Sequence, residues 1–313
     1  MPPPNIFPAP PQVTAQAATT APMVSASGAV RCINQEALGM ISPSNLILQT
    51  IPPIEIIREA SYRPNQASSL LDFGTAGGKR ARVGVFAAKK EAQERGLILL
   101  LPENGTPDSV LICVTQQFEQ AAARTLNALG WGKDPLSPQI IQFALLKHIV
   151  NRYGAQMLAS RKQMALLYIL RAKGNELGPF AQDGAFLAQT LRDLQEVTSG
   201  AFTAKNVEAF TFSSGITDFN RFLGAITGHV NLRAIYSIDP VHAMPAAAPS
   251  GVARRQFTRN ATGPAGFDCL PIDRWAKESA YPRRQTFPPS WPFNYMHNHC
   301  MPNYALYLGL QTA

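Results

Sequence analysis

The chain has 313 residues, a formal net charge of +8, 46% hydrophobic and 15% charged residues, and 26 prolines. That is enough for one large domain or two small ones, with an ordinary apolar fraction. No run of about 18 apolar residues occurs, so no transmembrane helix is expected, and the amino terminus lacks the cationic start of a secretory signal.

Residues 1–30 contain no Lys, Arg, Asp or Glu and are dominated by Pro, Ala, Thr and Ser. Such a segment cannot bury enough apolar surface to offset its ordering entropy. It is predicted to be an extended arm, reaching at most ~100 Å when fully stretched.

Residues 31–107 form a mixed lead-in segment. Pro52-Pro53 followed by IEIIREA suggests a short helix behind a proline start. ARVGVF (81–86) and LILLL (97–101) look like short strands flanking a helical KKEAQERG that Gly96 would stop, a small β element near 81–101.

From residue 108 to residue 240 the spacing predicts a helical core, giving a mainly α fold: one helical bundle with an arm at each end. Thr106-Pro107 would cap a helix whose face is Val110, Val114, Phe118, Ala121, Thr125 and Leu129. Ser137-Pro138 would open a second, with Ile141, Leu145 and Ile149. A third is predicted from about Ala155 to Lys173, and a fourth over about Gln182–Thr198 with Phe186, Leu187, Leu191, Leu194 and Val197 inward. Val207–Phe212 and Phe219–Ile226 read as two short helices around Gly215.

The stretch 135–175 carries Lys147, Arg152, Arg161, Lys162, Arg171 and Lys173, and no Asp or Glu. A helical face of one sign repels itself unless something else supplies the opposite charge. A polyphosphate backbone would do so, which makes these six candidate RNA contacts, with Arg192 and Lys205 behind them. Acidic groups elsewhere in the fold would satisfy the same face without RNA.

Residues 241–313 carry seven basic and three acidic groups among recurrent prolines and scattered aromatics. They suggest a C-terminal arm that packs on the core or on a neighbouring copy, mostly without regular structure.

Candidate chemistry is thin. In DFGTAGGKRAR (72–82), Phe73 stands where a phosphate-binding loop needs its first glycine, and Arg80 replaces the metal-binding hydroxyl. His297, Asn298, His299 and Cys300 match no standard metal spacing. Cys32, Cys113, Cys269 and Cys300 form no CxxC pair, which argues against a zinc ribbon or a disulfide framework, and Cys113 reads as a small core residue. No nucleophile elbow, HExxH or carboxylate pair stands out, so neither an enzyme nor a cofactor or metal is expected.

The piece Ala209-Phe210-Thr211-Phe212-Ser213-Ser214-Gly215-Ile216-Thr217 resembles the AFDFFDGV motif of coat proteins of flexible filamentous plant RNA viruses, matching at Ala209, Phe210, Phe212, Gly215 and Ile216. Gly200 and Phe202 sit near that family's Gly-Phe pair, and residues 160–175 are similar in placement to its basic helix. Both acidic positions of the motif are replaced, by Thr211 and Ser214. The similarity covers about residues 108–235. The resemblance implies a virion protein, found also in host cytoplasm, that packages single-stranded RNA and polymerises with itself through its arms, with no membrane and no small-molecule substrate. The alternative from composition alone is a scaffold protein whose basic face meets an acidic protein partner. An enzyme whose site the sequence does not reveal is a third.

Overall fold

The computed structural model describes residues 24–32, 60–63, 69–75, 80–115, 153–154, 157–158, 160, 162–170, 177–240, 249–259, 266–271, 284–286, 306 and 309–310. Among them run the strands β1 (Val30–Cys32), β2 (Ala60–Arg63), β3 (Leu71–Thr75), β4 (Arg80–Lys90), β5 (Gln93–Pro102), β6 (Ser109–Val114), β7 (Met164–Ile169), β8 (Asn206–Phe212), β9 (Leu232–Ile238), β10 (Ala253–Arg259), β11 (Gly266–Pro271) and β12 (Arg284–Thr286). The two helices described along their length are α1 (Gly184–Val197) and α2 (Ile216–Ile226).

The described strands build one mixed sheet in the order β12-β11-β10-β9-β8-β6-β7-β5-β4-β3-β2, with β1 also paired to β4. Its centre is parallel: β7, β6, β8, β9 and β10 all run the same way. The flanks are antiparallel.

The parallel centre explains the composition of its strands. SVLICV and MALLYI are continuous apolar runs, buried from Val110 to Val114 and from Met164 to Ile169. A parallel strand is covered on both faces, so it needs no polar alternation. On one face Ile112, Leu167 and Ala209 pack with Leu187, Leu191 and Leu194 of α1 and Phe219, Phe222 and Leu223 of α2. On the other, Tyr168 and Phe210 meet Tyr153, while Gly309 lies against the rings of Tyr236 and Phe257. The Asp183 side chain caps α1 by accepting from the Ala185 N–H at 2.9 Å.

The expected helical bundle is therefore corrected to a large mixed sheet with helices on it. Ser109–Val114, expected at the start of a helix, is strand β6. Met164–Ile169, expected within a helix over Ala155–Lys173, is the buried strand β7, and Val207–Phe212 lies in β8. A short run of apolar residues fits a buried strand and a buried helix equally, and period alone does not separate them. The KKEAQERG segment is a hairpin, with Lys90 paired to Gln93 and Glu91 at φ 55°. The predicted helices over 52–59, 116–129 and 137–152 lie outside the described residues.

The termini also depart from free arms. Residues 24–32 fold back on α1, where Ser27 Oγ donates to Asp193 Oδ2 at 2.7 Å and the Ala26 N–H donates to Glu196 Oε1 at 2.9 Å. Strands β10, β11 and β12 extend the sheet into the segment expected to lack regular structure.

Candidate active site

In an open α/β sheet, ligands bind outside the carboxyl ends of the parallel strands. At that edge Thr115 follows β6, Ser213 follows β8 and Asp239 follows β9. The Val114↔Thr211 and Phe212↔Ile238 register pairs bring these three strand ends side by side.

The chain turns sharply at Ser213. Phe212 is still extended, at φ −135° and ψ 138°, and α2 begins at Ile216. Between them Ser213 takes φ 56°. A non-glycine residue rarely adopts this left-handed backbone, and it concentrates at functional sites. A strained serine on a strand-to-helix turn is also the geometry of the nucleophile elbow of α/β-hydrolases, usually written G-x-S-x-G. Here the five residues are Thr211-Phe212-Ser213-Ser214-Gly215.

The distances account for the small residues that flank the serine. A Cβ on Gly215 would lie 2.5 Å from Thr211 Oγ1 and 2.7 Å from the Thr115 carbonyl oxygen. The turn thus presses its fifth residue onto its first and onto the end of β6. Glycine is required at 215, and Thr211 fills the first glycine's place at the limit of the available space. The Thr211 hydroxyl is buried and makes no hydrogen bond among the described residues.

The elbow also sets the electrostatics. The amides of Ser214 and Gly215 lead into the first turn of α2, so the positive end of that helix dipole lies at Ser213. A developing oxyanion is stabilised by such preorganised donors. In α/β-hydrolases one donor is the N–H of the residue after the nucleophile, the place that Ser214 holds behind Ser213. Thr115 is itself fixed: its hydroxyl is 2.8 Å from the Tyr168 hydroxyl in a buried hydrogen bond.

Asp239 lies one strand over. It is buried, has φ 43°, and its N–H donates to the Phe257 carbonyl at 2.7 Å. Among the described residues the only histidine is His229, which sits between α2 and β9, at the opposite edge of the sheet. His148, His242, His297 and His299 lie outside the described residues, as does the His297–Cys300 group considered for metal.

A second polar group crosses the sheet nearer its amino edge. Tyr236 Oη donates to Glu208 Oε2 at 2.5 Å, and the Arg255 guanidinium lies 5.5 Å from the Tyr236 ring centre. Burial, then the Glu208 charge, push the Tyr236 hydroxyl well above its ordinary pKa. Lys162 faces the same group; burial lowers its pKa, while Glu208 opposes that shift.

The candidate RNA contacts do not converge among the described residues. Lys162 belongs to the Glu208 group. Arg192 is exposed on α1, on the other side of the sheet, and donates to Gln189 Oε1 at 2.6 Å. Lys205 is exposed just before β8. Lys147, Arg152, Arg161, Arg171 and Lys173 lie outside the described residues.

No protein-family model and no curated protein matches the sequence. Solved structures are similar at low identity. The esterase rPPE matches at 12% identity and a TM-score of 0.35, over 51% of this chain and 44% of its own. The rice cell wall degrading esterase LipA from Xanthomonas oryzae matches at 13% and 0.32, over 55% and 43%. The Pyrobaculum calidifontis esterase matches at 10% and 0.33, over 52% and 48%. In each case the match spans under half of the other chain's length.

The viral-coat resemblance is corrected by this geometry. Its matched residues are not a coat-protein helix motif. Ala209, Phe210 and Phe212 are buried on the central strand β8, Gly215 is the crowded residue of the elbow, and Ile216 opens α2. The basic stretch contains the buried central strand β7, which replaces the helix expected over Ala155–Lys173 that the RNA groove and the acidic-partner scaffold both used. The virion and host-cytoplasm placement, the RNA partner and the filament go with it. The expectation of no enzyme and no small-molecule substrate is overturned by the strained Ser213 on the turn between β8 and α2, a geometry the sequence reading did not foresee. The sequence reading missed it because Thr211 replaces the first glycine.

Proposed function

We propose that this chain is a serine hydrolase that transfers the acyl group of a small carboxylic ester to water. The observation that carries this reading is Ser213 at φ 56° on the turn between a central parallel strand and a helix, with Gly215 pressed against Thr211 and Thr115. Acyl transfer needs an activated nucleophile, a base to take its proton and donors for the oxyanion.

Ser213 Oγ would attack the ester carbonyl while a histidine accepts its proton. The tetrahedral oxyanion would be held by the Ser214 N–H at the positive end of the α2 dipole. Its collapse would expel the alcohol, which takes the proton back from the histidine. Water, activated by the same histidine, would then release the acid and regenerate Ser213. Asp239 is the carboxylate suited to orient the histidine. Enzymes of this architecture order their triad Ser, then acid, then His along the chain. With Ser213 and Asp239 in place, His242, His297 and His299 satisfy that order, whereas His148 and His229 do not.

The test is covalent labelling with a fluorophosphonate probe, together with p-nitrophenyl acetate hydrolysis. Labelling mapped to Ser213 and lost in Ser213→Ala, with Ser214→Ala still labelled, supports the proposal. A folded wild-type protein that neither hydrolyses the ester nor takes up the probe at Ser213 overturns it.

A further inference from the structure

We propose that the Thr211 and Ser237 hydroxyls bind one buried water, which ties the strand end that carries Ser213 to the strand end that carries Asp239. The effect of this bridge on ester hydrolysis rests on the serine-hydrolase reading above; the water site itself does not.

Thr211 on β8 and Ser237 on β9 are register partners, each two residues before the residue of positive φ, Ser213 or Asp239, that follows its strand. Register partners on parallel strands present their side chains on one face. Here it is the helical face, since Ala209 and Ile235, two residues earlier on each strand, belong to the core shared with α1 and α2. Thr211 is 0% exposed and Ser237 1%. Neither hydroxyl makes a hydrogen bond among the described residues, even to the other. The next strand continues the row with Gln256, which pairs with Ser237 and is also buried. A polar row thus crosses a face that is otherwise apolar.

Leaving both hydroxyls bare costs the desolvation of each. Immobilising one water that bonds to both costs less, and internal waters collect where buried polar groups lack partners. The spacing fits. Neighbouring strands lie about 4.8 Å apart, beyond a direct bond between short side chains that stand parallel, yet within the roughly 5.6 Å that two hydrogen bonds through one water span. Gly215, whose missing Cβ would lie 2.5 Å from Thr211 Oγ1, brings no side chain to that hydroxyl.

The bridge sits just beneath the candidate nucleophile and its acid. Each strand carries the tied pair one residue further, to Phe212↔Ile238, before the turns begin. A histidine that serves the reaction must reach both Ser213 and Asp239. Their separation is therefore part of the reacting geometry, where a small misplacement costs rate. Thr211 and Ser237 are positioning residues in this scheme and act only through the strand ends.

The experiment uses the full chain with Ser237→Ala, Thr211→Ser, Thr211→Ala and the double variant Thr211→Ala with Ser237→Ala. Urea melts read stability, magnetic relaxation dispersion of water reads long-lived internal water, and p-nitrophenyl acetate reads kcat and KM. Ser237→Ala deletes one oxygen, and Thr211→Ser and Thr211→Ala differ by one oxygen. The folded-to-unfolded ratio should fall about five-fold in Ser237→Ala, and by a similar factor between Thr211→Ser and Thr211→Ala. The double variant should be little worse than Thr211→Ala, because either deletion already breaks the bridge. One long-lived water should vanish from the relaxation profile of Ser237→Ala. Its kcat and that of Thr211→Ala should fall about ten-fold with KM unchanged, while Thr211→Ser stays near wild type. A Ser237→Ala protein at least as stable as wild type overturns the bridge, since a bare buried hydroxyl is better deleted. So does an unchanged water profile. If Ser237→Ala does not fold, the Thr211→Ser and Thr211→Ala pair decides alone. Lowered stability with wild-type kcat overturns the tie to the site. A wild-type protein without activity or Ser213 labelling overturns the hydrolase reading, and the melts and the relaxation profile still decide the water site.

Discussion

Ser213 and Asp239 are each the first residue beyond the register pair Phe212↔Ile238 on adjacent parallel strands, and each has a positive φ, 56° and 43°. Two strained, buried polar residues at neighbouring strand ends are costly unless the surrounding sheet holds them, and such strain accumulates where it is used. The pair defines the candidate nucleophile and its acid. Asp239→Asn is expected to keep the fold and lower kcat by roughly 10³-fold or more, because the amide no longer holds the histidine in its productive tautomer. Steady-state kinetics beside a thermal melt checks this. Full activity in a folded Asp239→Asn protein would remove Asp239 from the triad.

The base is identified by single substitutions. One of His242→Ala, His297→Ala and His299→Ala should abolish ester hydrolysis while leaving the melting temperature within a few degrees of wild type. His229→Ala should retain activity, since His229 is at the opposite sheet edge. Activity that survives all three of the first substitutions would refute a histidine of that chain order as the base.

Little of what positions this site was legible in the sequence beyond the two helices that flank it. Phe186, Leu187, Leu191, Leu194 and Val197 recur at helical spacing and do form the buried side of α1. The strands β6 and β7 escaped because a doubly covered parallel strand loses the alternation by which strands are recognised. The elbow escaped for a narrower reason. Its pattern is read through two glycines, whereas the physical requirement is small side chains at positions 211 and 215. Thr211 meets it with its Oγ1 as the atom nearest to the missing Gly215 Cβ. Asp239 gives no sequence signal, since its role follows from the register of β8 against β9.

Asp183 gives a prediction in pH. Its carboxylate accepts from Lys90 Nζ and from the Ala185 N–H, and the Lys90 hydrogen bond is the main cause that holds its pKa below the usual carboxylate value. A folded pKa below the unfolded one means that the ionised form favours the native state. Its contribution is therefore present above the unfolded pKa of about 4 and is lost as pH falls through the folded value. Asp183→Ala should cost about 1 kcal/mol at pH 7 through loss of the helix cap. The wild-type advantage over Asp183→Ala should shrink between pH 5 and pH 2, a window of about the usual carboxylate range. Urea midpoints measured across that range decide it, and a constant difference would show that the carboxylate's charge is not what stabilises α1.

Gly215 offers the sharpest test of the elbow itself. Its φ of −62° is open to any residue, so conformational preference does not require glycine there. Space does: an added methyl meets Thr211 Oγ1 at 2.5 Å and the Thr115 carbonyl oxygen at 2.7 Å. The first neighbour is a side chain and the second is backbone, so relief by rotation alone is incomplete. Gly215→Ala should destabilise by about 2 kcal/mol, as overpacking does, and should lower kcat more than that loss of folded protein explains. The clash displaces the β6 end and the turn that carries Ser213. Adding Thr211→Gly removes the nearer contact and leaves the carbonyl, so the double variant should recover part of the stability and part of the rate. The two substitutions are in contact and should be non-additive. Denaturant melts and kcat on the four proteins of this cycle check both quantities. A Gly215→Ala protein as stable and active as wild type would mean that the turn is not packed against Thr211 and Thr115.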